Sequence, residues 1–86
     1  MAVVRLRGQL RKIAGDEAEH AVAGATVGDV LRALERERPA LAGWVLDERG
    51  EVRRHINVYV NGEERELGAP VAGGDRIDVL PAISGG

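Results

Sequence analysis

Between Thr26 and Pro39 the sequence carries one apolar stripe of helical spacing, and nothing of comparable length recurs on either side. Val27, Val30, Leu31 and Leu34 fall at i, i+3, i+4 and i+7, which predicts a helix with one buried face. Thr26 is an N-cap residue with Asp29 three positions on, a capping-box variant that sets an acid against the positive helix end. Arg32, Glu35, Arg36, Glu37 and Arg38 occupy the wet side as a solvated face stitched by opposite charges, and Pro39 stops the helix.

Strand-like alternation surrounds this helix. Val4 and Leu6 alternate with Val3, Arg5 and Arg7, and Gly8 through Gly15 reads as a continuation and a turn. A weaker strand is predicted over residues 17–23. After an irregular stretch whose Leu41, Trp44 and Leu46 are expected to plug one end of the core, Ile56, Val58 and Val60 alternate with Asn57 and Tyr59. Asn61-Gly62 is the favoured dipeptide of a two-residue hairpin, because both positions tolerate positive φ. The returning strand, Glu63 to Leu67, is polar and suits a sheet edge. Gly73-Gly74-Asp75 turns the chain into a last strand with Ile77 and Val79 inward and Arg76, Asp78 and Leu80 outward.

The order strand, strand, helix, hairpin, strand lets one helix cover only one sheet face. It fits an α+β, ubiquitin-like β-grasp: a mixed four- to five-stranded sheet with its first and last strands central. Other α+β rolls share this order. With Trp44 and Tyr59 the only aromatics, the core must be aliphatic. Eighty-six residues make one domain, read as residues 1–80 followed by a flexible tail at 81–86.

Composition excludes several functions. Twelve basic against 14 acidic residues argue against nucleic acid as a partner. No 18-residue apolar run exists, so no membrane partner is expected. Met1–Arg7 alternates instead of forming a signal peptide, and with no cysteine for a disulfide scaffold the cytoplasm is the expected location. His20 and His55 lack partners at ligand spacing and are expected at the surface or a strand edge, so no metal site is predicted. Any sulfur the protein handles cannot ride on a thiol of its own.

The informative segment is the end. Pro81 lacks an N–H and should close the last strand, after which Pro81 to Gly86 spans roughly 20 Å when extended. Gly85 and Gly86 have no Cβ and pass where other residues cannot. A free carboxyl at Gly86 is ionised at neutral pH and inert until activated. Taken alone a Gly-Gly end is a weak signal, since frayed ends and cloning remnants share it.

The runs Ile56-Asn57-Val58-Tyr59-Val60-Asn61-Gly62-Glu63, Gly74-Asp75-Arg76-Ile77 and Leu80-Pro81-Ala82-Ile83-Ser84-Gly85-Gly86 together resemble the MoaD/ThiS family of ubiquitin-like sulfur carriers. The resemblance covers nearly the whole chain. Extra length between Pro39 and Arg54 is similar to the molybdopterin-synthase small subunit (molybdenum cofactor biosynthesis) and to a related carrier for cysteine biosynthesis. It implies a carrier or small synthase subunit, not an enzyme by itself, that binds no cofactor. A ubiquitin-activating-type adenylating enzyme holding ATP and Mg²⁺ would convert the Gly86 carboxylate to an acyl adenylate. A sulfur donor protein, a cysteine desulfurase or rhodanese type, would then leave a thiocarboxylate for a sulfur-accepting synthase.

The free chain is expected to be a monomer. Partners are expected to dock on the uncovered sheet face, at Tyr59 and Leu80 flanked by Arg5, Arg7, Asn57 and Asp78, with Pro81, Ile83 and Ser84 leading to the glycines. Family members often carry Phe on that face; this chain has none. The alternative is a ubiquitin-like modifier conjugated through Gly86 to lysines, and a third reading is a plain binding module with an idle tail.

Overall fold

The computed structural model describes residues 1–81. Within them the chain runs β1 (Ala2–Leu6), α1 (Gln9–Ile13), β2 (Glu19–Val22), α2 (Val27–Glu37), a 3₁₀ turn (Pro39–Leu41), β3 (Ile56–Val60), β4 (Glu63–Glu64) and β5 (Arg76–Pro81). The five strands form one mixed sheet in the order β2-β1-β5-β3-β4. β1 and β5 pair in parallel at its centre, and the other pairs are antiparallel. That central parallel pair makes the fold a β-grasp and removes the other rolls.

Register follows from burial. Val4, Ile77 and Val60 share one inward row, and Leu6, Val79 and Val58 the next. Against them lies the predicted stripe of α2, with Val27, Val30 and Leu31 fully buried and Leu34 only 1% exposed. Each such side chain contributes roughly 1.5–3 kcal/mol over leaving it in water.

The start of α2 is satisfied from three directions. Thr26 Oγ1 accepts from the Asp29 N–H at 3.1 Å, as its N-cap role requires. The Val27 and Gly28 N–H groups donate to the Ala69 and Leu67 carbonyls. A Cβ on Gly28 would stand 3.2 Å from the Leu67 oxygen, so glycine permits that close approach. This docking also explains why β4 spans Glu63–Glu64 instead of running to Leu67: beyond it the chain leaves the sheet to supply those carbonyls.

The hairpin is as expected. Asn61 and Gly62 have φ of 51° and 87°, and the Asn61 side chain ties the turn to β5 by accepting from the Arg76 N–H and donating to Asp75.

Four expectations need correction. Residues 9–13 form a short helix instead of a strand continuation, because Leu10, Ile13 and Ala14 fall on one side and Leu10 and Ala14 enter the core. Trp44 is no core plug. It is 46% exposed, and Leu41, Val45 and Leu46 fill that end of the core instead. Glu35 is not simply solvated, since its Oε2 accepts from the N–H groups of Val45 at 3.3 Å and Leu46 at 3.1 Å. His20 lies on the edge strand β2 but is buried, its Nε2 2.9 Å from the Glu17 carbonyl oxygen.

The irregular stretch is thus pinned to α2. A turn after it is organised by Asp47, whose Oδ1 accepts from the N–H groups of Arg49 and Glu51, with a bridge between Leu46 and Val52. No described helix is long and apolar enough to cross a membrane.

Candidate functional site: the open sheet face and the end of the central strand

Side chains alternate across a strand, so the residues between the inward rows face away from α2. The register sets Arg5 between Glu19 and Asp78, Asp78 opposite Tyr59, and Leu80 opposite Asn57. Tyr59, Leu80, Arg5, Asn57 and Asp78 therefore share the uncovered face, as predicted from sequence, with Arg7 just beyond β1. Tyr59, Leu80, Arg5 and Asn57 are half-buried, so apolar and charged side chains stand side by side on this face.

Asp78 is the electrostatic centre of this face. Arg5 Nε lies 3.8 Å and Arg7 Nη2 3.9 Å from its Oδ1, and Arg76 Nε lies 3.5 Å from its Oδ2. Arg5 Nε also stands 3.6 Å from Glu19. The three contacts to Asp78 are ion pairs without hydrogen-bond geometry, and its Oδ1 is buried with no hydrogen-bond partner. A buried acceptor in that condition costs about 1–3 kcal/mol. Arg76 was read only as pointing outward with Asp78; its place in the cluster follows from their i, i+2 spacing on β5, whereas Arg5 and Arg7 are brought there by the β1–β5 register.

β5 is the central strand of this face. It is bonded to β1 on one side and β3 on the other, and its last residue, Pro81, pairs with Ile56. Gly8, at φ 59°, lies against the Pro81 ring: a Cβ there would stand 3.2 Å from Pro81 Cγ. The strand thus takes in Pro81, the first residue assigned to the tail. Ile83, Ser84, Gly85 and Gly86 lie outside the described residues.

Beside Pro81 a cleft of about 400 Å³ opens, lined by Leu10, Trp44, Ile56, Arg53 and His55 among others. Of this lining the sequence had singled out Trp44, assigned to the core, His55, expected at the surface or a strand edge, and Pro81, expected to lead toward the glycines. Among the described residues no three acidic or histidine side chains converge as a metal site.

A match to the ThiS family spans residues 4–86. The chain belongs to that family. Small archaeal modifier protein 1 of Haloferax volcanii is 48% identical over 62 residues, 72% of this chain and 71% of that protein. The sulfur carrier protein CysO of Mycobacterium tuberculosis is 31% identical over 83 residues, 90% of this chain and 89% of its own. In structure, the chain matches one from the Amycolatopsis orientalis BexX/CysO complex with a TM-score of 0.87 and 32% identity, covering 100% of both. The family's relatives are thus small carrier and modifier proteins, not catalytic enzymes, and one was solved together with a second protein.

Proposed function

We propose that this protein is a cytoplasmic sulfur carrier whose working group is the Gly86 carboxylate. The observation that carries the reading is the position of β5. This central strand, bonded along both edges, runs to Pro81 beside an open face, and the sequence continues from there to Gly85-Gly86. The absence of cysteine from the sequence points the same way, since sulfur cannot then be held on a thiol of this chain.

The adenylating enzyme supplies ATP and Mg²⁺. A Gly86 carboxylate oxygen attacks the α-phosphate and pyrophosphate leaves. Adenylation turns an oxygen that will not depart into part of a good leaving group, splitting one hard step into two easier ones. The persulfide of a cysteine desulfurase or rhodanese-type donor then attacks the carbonyl carbon and AMP departs, leaving an acyl disulfide. A second thiol attacks the donor-side sulfur, forms a disulfide with the donor and releases the thiocarboxylate. The resulting thiocarboxylate serves a sulfur-accepting synthase. The carrier travels between these partners as a monomer.

Docking uses the open face. Tyr59 and Leu80 supply apolar contact, and Arg5 and Arg7 the charged border. Pro81, Ile83 and Ser84 lead the glycines into the active site. One experiment tests the reading: incubate the protein with the adenylating enzyme of the same genome, ATP, a persulfide donor and a thiol reductant, then weigh it intact. Exchange of one oxygen for sulfur at Gly86 supports it, and an unchanged mass in an assay where ATP is consumed overturns it.

A second reading has its own support in the 48% identity to a small archaeal modifier protein. The same acyl adenylate, intercepted by a lysine amine, gives an isopeptide bond. High-mass adducts in cell extract, lost when Gly86 is removed, distinguish this outcome.

A further inference from the structure

Trp44 and Met1 are the large apolar residues left exposed among those described. A tryptophan half in water, while smaller neighbours fill the core beneath it, is held there by the fold. Glu35 fixes the backbone on its far side through Val45 and Leu46, and Arg53 Nε donates to the Gly43 carbonyl on the near side. The indole forms one wall of the cleft that Leu10, Ile56 and Pro81 complete, with Arg53 and His55 as its ionisable groups. At about 400 Å³ the cleft is at the small end of ligand sites, room for one or two side chains.

Two observations say what fills it. The whole chain has net charge −2, yet no carboxylate lines this cleft among the described residues, so its occupant brings negative charge. Pro81 is both a wall of the cleft and the last described residue before the segment that ends at Gly86. On the carrier reading, any protein that draws Gly86 into its active site works within roughly 20 Å of this wall, the reach of an extended chain from Pro81 to Gly86.

We infer that the Trp44 cleft is a second docking point, around the sheet edge from the open face, and that it receives a loop of the adenylating partner bearing a large apolar side chain beside a carboxylate. The apolar side chain packs on the indole and the carboxylate pairs with Arg53. Tryptophan and arginine are the residue types that most often dominate an interface.

Trp44 is the only tryptophan, so 5-fluorotryptophan gives one fluorine resonance that reads the cleft directly. The labelled full-length chain is titrated with the blocked peptides acetyl-Glu-Leu-Asp-amide and acetyl-Lys-Leu-Lys-amide. The acidic peptide is expected to shift the resonance saturably and the basic one to bind roughly tenfold more weakly, with Arg53→Glu reversing the order. Equal or absent shifts overturn the inference.

In ATP–pyrophosphate exchange by the adenylating enzyme, Trp44→Ala is expected to raise the KM for the chain on the order of tenfold, with kcat and the melting midpoint unchanged. An unchanged KM overturns the cleft while leaving the carrier reading intact. If the enzyme does not adenylate even the parent chain, the carrier reading is what fails, and the peptide titration still decides the cleft. A resonance that moves in the free chain on Ile83→Ser shows the protein's own tail in the cleft, and one that moves with protein concentration shows a second copy. Either result overturns the assignment to a partner.

Discussion

Glu35 offers the sharpest test of how the fold holds the region beside the tail. Its carboxylate reaches from α2 to the Val45 and Leu46 N–H groups, on residues that are 0% and 4% exposed. Glu35→Ala deletes the acceptor and leaves two donors facing a partly buried gap. A hydrogen bond to a charged group contributes about 1.5–3 kcal/mol. Both donors share one oxygen and Glu35 is only half-buried, so the loss is nearer one such bond than two, about 2 kcal/mol. A domain this size moves its melting midpoint by about 4–8 °C per kcal/mol, so the fall is roughly 8–16 °C. Glu35→Gln keeps an uncharged oxygen and should lose about half as much. Urea titration followed in parallel by Trp44 emission and far-ultraviolet circular dichroism measures both variants, and the two signals should shift together with an unchanged slope. If Glu35→Ala loses less than about 0.5 kcal/mol, the range of an ordinary surface change, the carboxylate is not an anchor and the argument for a fixed Trp44 falls with it.

Three further outcomes follow from the same structure. Deleting Gly86 should abolish adenylation, measured by pyrophosphate exchange, while the melting midpoint stays put; a large drop in that midpoint would mean the segment is structural. Thr26→Ala should cost about 1 kcal/mol by removing the acceptor for the Asp29 N–H, read from the urea midpoint, and Thr26→Ser should restore it. The Asp75 carboxyl is held below its ordinary value of 3.8, first by the Ala72 N–H and then by the Asn61 side chain. A depressed folded value gives stability that is full above the unfolded pKa and disappears as pH falls through the folded one. Asp75→Asn should therefore be less stable than its parent near neutrality and equal to it in acid well below 3.8; a gap that persists in acid refutes the charge argument. Asp29 and Asp47 are shifted in the same direction, chiefly by Arg32 and by the Glu51 N–H, and lose their contributions in the same range.

What could be read from the sequence was whatever repeats at short range. The α2 stripe, its Thr26 cap, the Asn61-Gly62 turn and the inward pair Ile77 and Val79 each announce themselves within a few residues. Period-two alternation also put Tyr59, Leu80, Arg5 and Asn57 on one face before any pairing was known. α1 escaped because one and a half turns hold too few positions to show a period, and Gly8 at its start read as a turn. Glu35 was misread because its partners lie ten and eleven residues away in a stretch without alternation. Trp44 was misplaced for a related reason: hydrophobicity says that a tryptophan prefers burial, but Leu41, Val45 and Leu46 had already taken the space. The approach of Arg5 and Arg7 to Asp78 needed the parallel register of strands far apart in sequence, whereas Arg76 stands beside it on the same strand.

The placement of β5 also has a mechanical consequence. A pull applied at Pro81 in the strand direction loads β5 along its own axis. Because β5 is laced to β1 and β3 on opposite sides, that load acts in shear on two ladders at once instead of peeling one open bond by bond. A strand at the margin of the sheet, such as β4 with only Glu63 and Glu64 paired, would give way first under the same tug.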